Sequence, residues 1–168
     1  MIISKELEKA MNEQVGSEFG ASLQYVSIAS YFQADDMLRF AQIFFAQADE
    51  ERMHAMKFVH FILETGGQVK IPQVPKTRSD FASPEDAIAA ALAWEEEVTK
   101  QINGLMEIAV KDKDYITQQF LDWFVAEQLE EISKMSTILN IVKRSGDNLM
   151  MAEQYIVDAL PADPNAAG

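Results

Sequence analysis

Apolar residues recur at alternating three- and four-residue intervals along most of the chain. That spacing lays one stripe down the face of a helix. Four long segments carry such a stripe: residues 4 to about 33, about 37 to 65, 84 to about 111, and about 114 to 144. Their ends carry helix signals. Ser4 is a candidate N-cap, Asp35 and Asp36 are placed to cap the second helix, and Gly66-Gly67 stops it. Ser83-Pro84-Glu85-Asp86 supplies an N-cap, a first-turn proline and first-turn acids. "KDKDY" separates the third helix from the fourth, which ends near Gly146. A short fifth helix is expected over "NLMMAEQYIVDAL", with Asp147 as cap. No strand alternation is present. The fold class is therefore all-α.

The second and third helices are joined by a loop of roughly 16 residues within "GQVKIPQVPKTRSDFAS". A connection that long carries the chain back along a bundle and leaves the two helices parallel, giving a four-helix bundle with one crossover. One domain is expected over residues 1–160. The tail 161–168, "PADPNAAG", is expected to be disordered.

Followed at core spacing, each stripe changes character halfway. The first reads Met11, Val15, Glu18, Ser22, Tyr25, Ala29, Phe32. The second reads Phe40, Phe44, Gln47, Glu51, His54, Phe58, Phe61. The third reads Ile88, Ala91, Glu95, Val98, Ile102, Leu105, Ala109. The fourth reads Leu121, Phe124, Gln128, Glu131, Met135, Ile138, Val142. All four are apolar at their ends and polar in the middle. Isolated ionised carboxylates in a core are costly unless paired or bound to a cation. No Lys or Arg lies on these stripes, so the pattern calls for one or two multivalent cations. Carboxylates with one imidazole suit iron or manganese and accept zinc. Ser22 and Gln47 are expected to satisfy their own hydrogen bonds locally. Glu8, Glu96, Glu97 and Glu107 are expected to be solvated charges, and His60 a surface residue.

Composition narrows the classes. The chain has 168 residues, enough for one substantial core, and no cysteine, which excludes disulfides, Fe–S ligation and thiol nucleophiles. The formal charge of −13 makes it a poor nucleic-acid binder. No apolar run of about 18 residues is present to span a membrane, and the N-terminus has no signal-peptide pattern. A cytoplasmic location is expected. These residues alone leave open a scaffold with a structural metal and a di-metal oxidase that stores nothing.

The stretches "NEQVGSEFGASLQY", "DEERMH", "WEEEVTKQIN" and "FLDWFVAEQLEE" resemble the corresponding helices of bacterial non-haem ferritins, in the ferritin-like superfamily. The resemblance implies an iron-storage protein forming a hollow 24-subunit shell. It also implies a ferroxidase centre that oxidises Fe(II) with O2 or H2O2. A first iron site would use Glu18, Glu51 and His54. A second would use Glu51 as bridge, Glu95 and Glu131, with Gln128 close by and Tyr25 beside the centre. A third site would use Glu50, Glu127, Glu130 and Glu131. Haem is not expected: Arg52 stands where haem-binding bacterioferritins carry Met. Gln128-x-x-Glu131 replaces the second Glu-x-x-His that those proteins and rubrerythrins keep.

Overall fold

The computed structural model describes residues 2–159. It contains α1 (Lys5–Ala34), α2 (Leu38–Glu64), α3 (Pro84–Lys111), α4 (Tyr115–Ser145) and α5 (Leu149–Ala159). The expected tail lies outside the described residues. Among those described there is no strand, and no helix is long and apolar enough to cross a membrane.

Most ends follow their local signals. Ser4 accepts from the Leu7 amide, Ser83 from the Asp86 amide and Asp114 from the Thr117 amide. Two expected caps differ. Asp35 and Asp36 do not cap α2, because Asp36 takes a left-handed turn conformation (φ 56°) and the N-cap position falls on Met37, which has no capping side chain. The free amides of Arg39 and Phe40 instead donate to Glu153 Oε1 of α5, at 2.8 and 3.3 Å. At α5 the cap is Asn148, which accepts from the Met151 amide at 3.2 Å, rather than Asp147.

The crossover, residues 65–83, runs along α1. The Gln68 amide donates to Glu8 Oε1, the Lys70 amide to Asn12 Oδ1 and the Arg78 amide to Gln24 Oε1. Contacts thus ascend α1 as the loop proceeds, returning the chain to the end where α2 began. Glu8 is correspondingly buried in this anchorage, not solvated as expected. Close approach of the loop requires small residues beneath it. A Cβ at Gly16 would collide with the Pro72 ring, and one at Gly20 would lie 3.1 Å from Pro75 and 3.2 Å from Trp94.

The core divides into two apolar clusters. One joins Ala29, Phe32, Phe40, Phe44, Ile88 and Ile138; the other joins Leu7, Met11, Phe58, Phe61, Leu105 and Leu121. The beginnings of α2 and α3 share the first cluster and their ends share the second, so the two helices are parallel. The polar middles of all four stripes meet between the clusters. Every predicted stripe position except Ser22 is buried.

Candidate metal centre

Glu18, Glu51, Glu95 and Glu131 each come from a different helix and are each no more than 2 % exposed. Their ligand atoms converge as two groups. Glu18, Glu51 and His54 form one, and Glu51, Glu95 and Glu131 the other, with the atoms of each group within 4.8 Å of one another. Glu51 belongs to both. The stripes predict that these residues meet, and the resemblance to bacterial non-haem ferritins implies two groups around Glu51; α2 contributes the shared carboxylate, with Glu51 and His54 one turn apart on its buried face.

Each carboxylate is held by named partners. Gln14 Nε2 donates to Glu18 Oε1 at 2.8 Å. Gln47 Nε2 bridges Glu51 Oε1 (2.7 Å) and Glu131 Oε2 (2.8 Å). The Tyr25 hydroxyl donates to Glu95 Oε1, and Gln128 Nε2 lies 3.2 Å from Glu95 Oε2 and 3.1 Å from Thr99 Oγ1. His54 Nδ1 is 3.2 Å from Glu51 Oε2, while its Nε2 faces Glu127 Oε1 at 4.0 Å. Its ring sits edge-on to Trp123 and Phe124. Among the described residues, Glu18 Oε2 is the one buried side-chain polar atom without a hydrogen-bond partner. An orphaned carboxylate oxygen on a residue grouped with a histidine and a second carboxylate is what a cation would satisfy.

Electrostatics point the same way. Burial, reinforced by Glu51, pushes the Glu18 carboxyl well above its usual range. Burial raises Glu95 to about 8, with Glu51 and Glu131 adding repulsion. Burial also raises Glu131 to about 7. For His54 burial favours the neutral ring, but the hydrogen bond to Glu51 and the surrounding carboxylates prevail and raise it to about 9. Burial and Glu95 together hold the Tyr25 phenol protonated.

Gln47 departs from expectation: it does not satisfy itself locally but spans two ligand carboxylates. Ser22 is satisfied, by the Ala48 carbonyl at 2.6 Å. Glu96, Glu97, Glu107 and His60 are exposed, as expected.

Sequence reasoning missed Gln14 and Lys134. Lys134 precedes the stripe position Met135, yet its ammonium reaches inward to Gln47 Oε1 (2.7 Å), Glu50 Oε2 (3.1 Å) and Glu131 Oε1 (3.3 Å). The centre therefore does contain a lysine. Its signal was spacing: Gln14 and Gln47 lie four residues before Glu18 and Glu51, and Lys134 three after Glu131, each one turn from a ligand. Of the residues expected at a third site, Glu50 and Glu127 are half-buried and Glu130 is exposed. None of the three belongs to either converging group.

An antiparallel-and-crossover bundle with carboxylates and a histidine gathered at its middle defines the class of inward-facing metal-binding helical bundles. The chain belongs to the ferritin-like family, whose sequence profile matches residues 8–145. It is similar to ferritin BfrB of Mycolicibacterium smegmatis, at 40% identity over 93% of this chain and 88% of the relative. The bacterial non-heme ferritin of Staphylococcus aureus is 37% identical over 88% of this chain and 89% of its own length. Among solved structures, an open pore ferritin from Archaeoglobus fulgidus superposes with a TM-score of 0.89 at 35% identity, covering 92% of this chain and 96% of that one.

Proposed function

We propose that the chain is the subunit of an iron-storage ferritin and oxidises Fe(II) at the centre described above. The observation that carries this reading is the sharing of Glu51 by two buried ligand groups. One carboxylate with an oxygen for each metal holds two ions close together, the geometry that lets one oxidant draw an electron from each. Glu18 and His54 complete the first position; Glu95 and Glu131 complete the second. Two Fe(II) give up two electrons. O2 accepts them with two protons and leaves as H2O2, or H2O2 accepts them with two protons and leaves as water.

The surrounding residues set the centre up for this. Gln47, Tyr25, Gln128 and Gln14 fix carboxylate orientations by donating hydrogen bonds. Glu95 and His54, raised to about 8 and about 9, hold protons in the metal-free protein at neutral pH and give them up as cations enter, because ligands bind metal in their deprotonated forms. Tyr25 remains a neutral phenol beside Glu95. Gln14 also lines a cavity of about 610 Å³ between α1, the crossover and α3, so the first position is one side chain away from open space.

Storage requires a closed container. Related proteins are ferritins over nearly their whole length, and α1 and α2 leave Leu23, Val26, Phe45 and Met53 exposed. Such apolar surface is suited to burial between copies. This supports a homo-oligomer; the proposed shell of 24 subunits without haem rests on the resemblance to bacterial non-haem ferritins. Adding Fe(II) in air to the purified protein and separating by size tests the reading. Ferric iron should travel with the assembled shell. Iron that stays reduced, or that precipitates apart from the protein, contradicts it.

A further inference from the structure

The ammonium of Lys134 is enclosed by oxygen. Its three donors find three acceptors: Gln47 Oε1, Glu50 Oε2 and Glu131 Oε1, at 2.7 to 3.3 Å. An ammonium has three hydrogens, so its donor capacity is filled. Its side chain is 28% exposed and those of Glu50 and Glu131 are 24% and 3% exposed, placing the contact at the outer edge of the centre. Glu127 faces His54, its Oε1 4.0 Å from Nε2. Glu130 lies on the exposed side of α4. Glu50 and Glu131 thus border one place, and the chain's own cation already sits in it.

The two uses of this place exclude each other. A transition metal needs carboxylate oxygens at about 2.0–2.2 Å. It would have to draw on Glu50 and Glu131, whose carboxylates Lys134 already holds, and would meet a like charge at close range. Lys134 also divides Glu131 in two. Oε1 is directed to the ammonium and Oε2 toward Gln47 and the inner group.

Resting on the two-metal reading above, we propose that Lys134 is a tethered cation that fills the place of a third metal. It thereby limits each centre to two ions and keeps Glu131 turned toward the inner pair. The residue acts by occupying and positioning, without taking part in electron transfer.

Zn(II), which undergoes no oxidation, tests this by location instead of turnover. Crystals of the assembled full-length protein are soaked to saturation in Zn(II) and peaks are located by anomalous scattering at the zinc edge. The wild type should show two peaks in the centre and none touching Glu50. Lys134→Met keeps the stem without the charge and should show a third peak bound by Glu50 and Glu131. Lys134→Arg should return to two. A wild-type peak at Glu50 overturns the proposal, as does a Lys134→Met centre that still holds only two. The wild-type arm decides even if the methionine variant does not fold. Absence of zinc at Glu18, Glu51 and His54 in the wild type would instead overturn the two-metal reading itself, so the two failures are distinguishable.

Discussion

In the proposed centre Glu18 and His54 are ligands that no neighbouring side chain replaces, so Glu18→Ala or His54→Ala should abolish the rapid phase of Fe(II) oxidation while Glu96→Ala leaves it unchanged. Stopped-flow absorbance checks this, and a dead Glu96→Ala would mean that the buried face of α3 is misassigned. The same buried groups make the metal-free protein pH-sensitive. Carboxyls raised in the fold, as at Glu95 (about 8) and Glu131 (about 7), bind protons more tightly folded than unfolded. Their contribution is present below their unfolded value and is lost as pH rises through the folded one. His54, raised to about 9, acts in the same direction at higher pH. Metal-free protein should therefore lose thermal stability as pH climbs from about 5 to about 9. Glu95→Gln should flatten the slope, and saturating Zn(II) should largely remove it. A melting temperature that rises over this range contradicts the burial of these groups. The residues of the two converging groups were legible in the sequence because each interrupts an apolar stripe. Gln47 and Lys134 were not assigned, because spacing says which residues share a helix face but not which neighbouring helix a long side chain reaches.

Helices were legible for a different reason: caps and stops are local, and Ser4, Ser83 and Gly66 act within a few residues of themselves. The N-terminus of α2 broke the rule because its partner, Glu153, is 114 positions from Arg39 in the chain. Glu153 satisfies two first-turn amides and places negative charge at the positive end of the helix dipole. Glu153→Ala should cost about 1 kcal/mol, as loss of a cap does, and circular dichroism melting of the metal-free protein reads it. An unchanged melt would mean that water satisfies the α2 amides equally well. The crossover likewise belongs to tertiary structure. Its two prolines marked a loop, but its track along α1 depends on Gly16 and Gly20. Gly16→Ala, forcing the Pro72 ring aside, should destabilise by about 1–3 kcal/mol.

Across the whole molecule, two apolar clusters clamp a polar layer between them. The clusters supply the hydrophobic driving force, and the layer between them, the proposed metal centre, comes at a cost in stability. A bundle of this kind gains from a cation what it loses by burying acids, so folding and metal binding are linked. Two ions per centre is what the proposed sharing of Glu51 between two metals predicts. The decisive measurement is single-turnover oxidation after anaerobic loading of the wild type with increasing Fe(II). The amplitude of the rapid phase should grow linearly and saturate at two iron per subunit, with protons released during loading. Saturation at one iron per subunit, or no rapid phase, would contradict a centre built on a shared Glu51.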